Sequence, residues 1–283
     1  MTIHHGVGQF SQSQKIKGEK FKRLHTNGSP FIMPNPWDRG TAILMEKAGF
    51  KALGTTSAGL AFSLGKLDRT AAVTLPETLE NASQIVSVTS IPLSIDLEDG
   101  FALDADDIAS NIFAAAMTGA VGCSIEDYSG NEQKPIRDFS TSLMRIEAAV
   151  AAAKTLPFPF TVTARAENFL YGVHDLQDTI FRLKAWEKAG ADVVYAPALP
   201  DAEAIKAVCT AVNVPVNVLL GAGNRLTTSE LFDLGVSRVS LGSALSRVAL
   251  GGFVSALHEL QQNGSCAFLD SAVGYFDVAN LLT

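Results

Sequence analysis

Short β-rich runs alternate with runs that repeat their apolar residues at helical spacing along nearly the whole chain. The β-rich runs fall at residues 31–37, 52–57, 93–97, 122–126, 160–166, 193–196, 216–220 and 239–241. Helical patterns lie between them at 74–87, 106–117, 140–153, 175–188, 201–211 and 228–234. Several open on Ser, Thr or Asp, whose side chains can accept the unpaired amides of a first helical turn. Gly49, Gly190 and Gly235 stand where helices should end, because glycine tolerates the left-handed terminal conformation. Strands that alternate with helices predict a parallel sheet with crossover helices, and eight repeats predict a closed (β/α)8 TIM barrel over about 30–262. An open doubly wound sheet is the alternative fold. No linker or low-complexity tract divides the chain, so one domain is expected over 1–283.

Two segments fall outside the eight units. Residues 11–26 predict a short basic helix containing Lys15, Lys17, Lys20, Lys22 and Arg23, read as a solvated face in preference to a cap on one barrel end. After a last helix at about 244–262, Gly264 breaks the chain, and 266–282 supply Phe268, Leu269, Val273, Tyr275, Phe276, Val278, Leu281 and Leu282. So apolar a helical tail is expected to pack on its own barrel or between subunits.

Composition narrows the function classes. Hydrophobic residues make up 47% of the 283 and charged residues 18%, with no run near the ~20 apolar residues a membrane helix needs. The net charge of −7 argues against a nucleic-acid partner. Cys123, Cys209 and Cys266 are widely spaced in apolar contexts typical of buried thiols, and no apolar leader follows the start, so a cytoplasmic address is expected. His4 and His5 read as an exposed terminal pair.

In a barrel of this kind chemistry gathers at the C-terminal ends of the strands. The third run reads Ser94-Ile95-Asp96-Leu97-Glu98-Asp99-Gly100, and strand alternation points Asp96 and Glu98 the same way. Two carboxylates on one face repel each other unless a cation joins them. Glu126, above Ser124 at the end of the fourth run, brings a third acid to the same height, while Asp99 and Asp127 fall on the other face as loop caps. Oxygen-only ligands favour a hard cation, Mg²⁺ or Mn²⁺. The fifth run is polar on one face and ends in Arg165, which is either a clamp for a substrate carboxylate or an ion-pair partner of Glu167 or Glu126. Asn217 is a weaker candidate of the same kind, and His174 reads as incidental. Gly221-Ala222-Gly223 and Gly242-Ser243 fit tight turns better than phosphate binding.

Taken in order and spacing, these residues resemble the isocitrate lyase/phosphoenolpyruvate mutase superfamily over roughly residues 30–250. The resemblance rests on Asn35-Pro36-Trp37-Asp38, Thr55-Thr56-Ser57-Ala58-Gly59, Ser63-Leu64-Gly65 leading to Asp68, Asp96-Leu97-Glu98-Asp99-Gly100, Ile125-Glu126-Asp127, Thr163-Ala164-Arg165-Ala166-Glu167 and Asn217-Val218-Leu219. It implies a Mg²⁺-dependent barrel enzyme acting on an α-oxo or 2-hydroxy carboxylate through an enolate-like species. By motif position, Asp96 would hold the metal directly, Glu98 and Glu126 would act through waters, and Asp68 would complete the acidic shell. Arg165 and Asn217 would contact substrate, with amides around Ser57, Ala58 and Gly59 binding its carboxylate. The resemblance also implies a homotetramer that exchanges its C-terminal helices.

Two departures bear on the reaction. Family lyases carry a Lys-x-Cys-Gly-His type loop after the fourth strand, and the phosphonate mutases a Lys-x-Phe-Pro-Lys type stretch. This chain reads Asp127-Tyr128-Ser129-Gly130-Asn131-Glu132-Gln133-Lys134-Pro135-Ile136-Arg137-Asp138, leaving Lys134 as the candidate proton donor. Asp96-Leu97-Glu98 also replaces the more usual Asp-x-Asp. The expected function is a Mg²⁺-dependent carbon–carbon lyase on a small α-oxo or 2-hydroxy dicarboxylate, of oxaloacetate decarboxylase type. The alternatives are a phosphonopyruvate-type P–C hydrolase or mutase, or an inactive barrel that binds a partner.

Overall fold

The structure, a computed structural model, describes residues 10–26, 28–68, 72–102, 104–223 and 225–283, so His4 and His5 lie outside the described residues. Its strands are β1 (Phe31–Met33), β2 (Leu53–Gly54), β3 (Leu93–Asp96), β4 (Gly122–Glu126), β5 (Thr161–Arg165), β6 (Val193–Tyr195), β7 (Val216–Leu219) and β8 (Arg238–Ser240). All pairings are parallel, in the order β1-β8-β7-β6-β5-β4-β3-β2. The remaining seam, between β1 and β2, is bridged by the Gly54 amide donating to the Pro34 carbonyl at 3.1 Å. Asn35 Nδ2 reinforces it by donating to the Gly54 and Thr55 carbonyls, each at 3.0 Å. A Cβ on residue 54 would stand 2.7 Å from Met33 Cε and 3.2 Å from Asn35 Nδ2, so a larger residue would have to displace the Met33 side-chain end and press on the bridging Asn35. The result is a nearly closed (β/α)8 barrel.

The helices are α1 (Gln12–Thr26), α2 (Arg39–Lys47), α3 (Ser57–Ser63), α4 (Leu75–Val88), α5 (Ala105–Met117), α6 (Phe139–Lys154), α7 (Leu176–Ala189), α8 (Ala202–Ala211), α9 (Thr228–Asp233), α10 (Ala244–Asn263) and α11 (Tyr275–Leu282). Asp38, Thr56, Thr74, Asp104, Asp138, Asp175, Asp201 and Thr227 cap α2 to α9 by accepting first-turn amides, each worth about 1 kcal/mol. The expected run 52–57 is too long: it breaks after Gly54, and Thr56 caps a helix that starts at Ser57. The run 31–37 stops at Met33 because Pro34 has no amide to offer the ladder.

Outward side chains such as Ile95, Ile125, Val162, Val194 and Val218 are buried under the helices. The barrel interior is polar below the strand ends. Buried Arg238 donates to Asn217 Oδ1 at 2.8 Å and to Thr163 Oγ1 at 3.1 Å, and Asn217 Nδ2 donates to Ser240 Oγ at 2.9 Å.

Helix α1 closes the N-terminal end of the barrel, which corrects its reading as merely solvated. Phe21 is fully buried against the start of β4, and Gln14 Nε2 donates to the carbonyls of Ala116 and Ala120. His25 accepts from Arg238 through Nε2 at 3.1 Å and donates through Nδ1 to the Phe21 carbonyl at 2.8 Å. One face of α1 is therefore core; Lys17 on its flank donates to the Thr89 carbonyl at 2.7 Å, and Lys22 and Arg23 stay exposed.

The tail behaves differently. Phe253, Leu269, Tyr275 and Phe276 in and beyond α10 stay exposed, and α11 touches the barrel at α2, where Lys47 Nζ donates to the Asn280 carbonyl. Cys123 is buried as expected and Cys209 half-buried, but Cys266 is exposed because it sits in this tail. No helix among the described residues is long and apolar enough to cross a membrane.

Candidate active site

A cavity of about 510 Å³ opens at the C-terminal ends of the strands. The expected residues Ser57, Ala58, Asp68, Asp96, Glu98, Glu126 and Arg165 line it together, joined by Asp99 and Glu167. Asp96 is the last residue of β3, Glu126 of β4 and Arg165 of β5. Glu98 arrives by another route than strand alternation. The strand has ended, and Glu98 lies in the following turn with φ +47°, its side chain still on the cavity.

Arg165 ties the acids together. Its Nη1 donates to Asp96 Oδ1 at 3.1 Å, Nη2 stands 3.2 Å from Glu126 Oε2, and Nε donates to Glu167 Oε1 at 2.8 Å. The guanidinium also lies 5.0 Å from the centre of the Tyr195 ring. Asp96 accepts further bonds from Ser124 Oγ and from the Ser57 amide, each at 3.2 Å. The sequence left Arg165 open between substrate clamp and ion-pair partner, and the pairing with both Glu126 and Glu167 is present. Three acids thus converge on a guanidinium, and among the described residues no group of three His, Cys, Asp or Glu side chains stands ready to hold a metal ion by direct contact.

The charges remain unbalanced. Among the described residues Asp68, Asp96, Glu98, Asp99, Glu126 and Glu167 line the cavity with Arg165 and Arg247, while Arg137 and Arg145 pair with Asp99 from outside it. Burial, then Asp96, Asp68 and Asp99, push the Glu98 carboxyl up to about 8 despite Arg165. Burial raises Glu126 well above the usual carboxylate range, with Arg165 opposing. Burial also works against the charge on Arg165, but Glu167, Glu126 and Asp96 more than offset it and keep it protonated. Tyr195 is pushed up to about 12 by burial. A hard divalent cation fits this donor set: the ligands are oxygens and their negative charge is in excess.

Other expected residues stand elsewhere. Gly59 packs on Trp37 and Ser246, its amide donating to the capping Thr56 Oγ1, so it is a helix-start residue and not a cavity residue. Asn217 belongs to the polar layer beneath, held by Arg238 and Ser240. Lys134 is exposed at the tip of a small hairpin closed by the Tyr128–Ile136 bridge, outside the cavity. His174 rests near Phe169, also outside it. Asp127 is buried, accepting from the Glu167 amide and from Arg182. Asp99 caps the Phe101 amide and pairs with Arg137 and Arg145, yet it also reaches the cavity. The amides of Leu241 and Gly242, where a phosphate would bind, are taken by Asn35 Oδ1.

Sequence reasoning missed Tyr128, Leu170, Tyr171, Tyr195, Leu219 and Arg247, all of which line the cavity. Tyr195 was findable, since it pairs in register with Arg165 and ends its strand. The loop residues and Arg247 carried no periodic signal.

A nearly closed parallel barrel with an acid-rich cavity at its strand ends defines a barrel enzyme. The family model described as phosphoenolpyruvate phosphomutase matches residues 21–261, and the chain belongs to that family, within the isocitrate lyase/phosphoenolpyruvate mutase superfamily of lyases and mutases. A protein of Burkholderia cenocepacia J2315, provisionally described as a lyase/mutase, superposes with TM-score 0.92 at 48% identity, covering 95% of this chain and 96% of that one. The 2-methylisocitrate lyase of Escherichia coli K12 is 30% identical over 76% of this chain and 74% of its own length. The oxaloacetate decarboxylase of Paraburkholderia xenovorans LB400 is 28% identical over 81% and 76%.

Proposed function

We propose that this enzyme is a divalent-metal-dependent lyase that decarboxylates an oxaloacetate-like 2-oxo acid. One observation carries the choice within the superfamily: among the described residues, those around the cavity include a charged floor but neither a thiol nor a lysine. Cleavage of a 2-hydroxy tricarboxylate needs a base for the hydroxyl proton and a positioned acid for the departing carbanion. Cys123 cannot be that acid, being wholly buried with its thiol pushed far up by burial. Lys134 stands outside the cavity.

Decarboxylation needs fewer parts. The bond between C3 and the leaving carboxylate breaks, its electron pair passes toward the 2-oxo group, carbon dioxide departs, and C3 takes a proton from water. Arg165, kept charged by its carboxylates, attracts the acid end of the substrate and offsets the negative floor. Ser57 and Ala58 border the same end of the cavity. Asp96 is assigned as the direct metal ligand, Glu98 and Glu126 as ligands through water, and Asp68 as the outer acid of the shell. Mg²⁺ or Mn²⁺, when bound, supplies positive charge for the oxyanion that develops on the 2-oxo group.

The exposed apolar tail supports assembly as a homotetramer through α10 and α11, since Phe253, Tyr275 and Phe276 are otherwise left in water. The reaction is tested by offering purified enzyme oxaloacetate with Mg²⁺ and then with chelator. Pyruvate release that chelation abolishes is the expected result, and release no faster than the free-metal background refutes it.

A further inference from the structure

A four-carbon acid leaves much of this cavity empty. Its volume of about 510 Å³ lies within the roughly 300–1,000 Å³ of sites that enclose far larger ligands. The acid end is accounted for by Asp96 and Arg165. Apolar side chains line it as well: Tyr128 and Tyr171, from the loops after β4 and β5, stack with centroids 4.1 Å apart and planes 10° from parallel, and Leu170 and Leu219, the latter at the end of β7, border the same cavity.

That wall is tied down. Tyr128 begins the hairpin after β4, where the Ser129 amide donates to the Pro135 carbonyl at 2.7 Å and the Arg137 amide to the Asp127 carbonyl at 2.9 Å. Arg137 Nε donates to the Tyr128 carbonyl at 3.0 Å, and its Nη2 reaches Asp99 at 2.5 Å. A segment held at both ends and in its middle keeps Tyr128 in place, and Tyr171 stacks on it from the loop after β5, where its amide donates to the Glu167 carbonyl at 3.1 Å. Aromatic faces and leucine methyls attract flat apolar groups by dispersion and water exclusion.

We propose that the preferred substrate is an oxaloacetate-like acid carrying an apolar, planar substituent at C3, and that Tyr128, Tyr171, Leu170 and Leu219 bind that substituent. This specifies the substrate class of the site proposed above and rests on that reading. Oxamate, the unreactive amide analogue of pyruvate in which nitrogen replaces C3, and N-benzyloxamate, which projects an aryl group from that atom, are the probes. Calorimetric titration of the full chain with Mg²⁺ should show N-benzyloxamate binding at least tenfold tighter than oxamate. Tyr171→Ala should reduce that ratio at least threefold, and Leu219→Trp, which fills the cavity from β7, should reduce it by a second route. Equal affinity of the two ligands in the unaltered protein, or a ratio untouched by both substitutions, overturns the proposal. Pyruvate release from oxaloacetate, read on the same sample, separates the two ideas: its absence refutes the decarboxylase reading, while the affinity ratio still decides the subsite.

Discussion

Replacing Arg165 with methionine removes one guanidinium from three carboxylates at once. If all three were left ionised and buried, the penalty would exceed the stability of most domains, but two features limit it. Asp96 keeps 12% of its side chain exposed, so water can partly replace the lost contact, whereas Glu167 keeps only 1%. An unpaired buried carboxylate can also take up a proton, which at pH 7 costs about 1.4 kcal/mol for each unit above its unfolded value near 4.3, or about 4 kcal/mol. The penalty should therefore be about 3–4 kcal/mol at pH 7, the size expected for one broken buried pair. Its pH dependence follows from the sign: acids that lose their cation have folded values raised above the unfolded ones, so the variant loses stability as pH rises. At pH 5 the same proton costs only about 1 kcal/mol. Urea unfolding of both proteins at pH 5 and pH 7 without metal checks this. A penalty equal at the two values, or below 1 kcal/mol at pH 7, would refute the role of Arg165 as the counter-charge of the floor.

Three further outcomes are expected. Asp96→Ala should fold, since the residue contributes charge and little core volume, but should lose both the Mg²⁺-induced rise in Tm and at least a thousandfold in metal-dependent kcat/KM; an unchanged metal response counts against the assignment. Burial and the Arg238 charge lower His25 from 6.5 to about 3, so the unfolded chain gains a proton first on acidification and stability falls below pH 6.5 by about 1.4 kcal/mol per unit. His25→Gln, which can still accept from Arg238, should remove that slope, as the difference between the two unfolding curves from pH 7 to pH 5 will report. Lys134→Ala should leave kcat and KM within twofold of the parent, because the side chain lies outside the cavity; a tenfold loss would mean that the hairpin rearranges during turnover.

The architecture was readable because alternation speaks loudly in this chain. Strand β4 carries Cys123 and Ile125 outward and Ser124 and Glu126 inward, and β5 repeats the pattern with Val162 and Ala164 against Thr163 and Arg165. Asp96, Glu126 and Arg165 were therefore found at their correct height. Where the backbone leaves the strand, that logic stops: Glu98 reaches the cavity from a left-handed turn, and α3 begins inside an expected strand. Asn217 shares the alternation of Arg165 but sits beneath the cavity, in a layer organised by buried Arg238, a partner that spacing could not reveal. Lys134 was chosen by elimination from a loop whose fold is set by Arg137 and Asp99, residues distant in sequence.

The decisive measurement is which acid the purified enzyme cleaves when oxaloacetate and 2-methylisocitrate are each offered with Mg²⁺. A cavity with no thiol or lysine among its described lining residues predicts chelator-sensitive pyruvate from oxaloacetate and no succinate from 2-methylisocitrate. Rapid succinate release from 2-methylisocitrate would contradict it, and would mean that another residue lining the cavity protonates the departing carbanion.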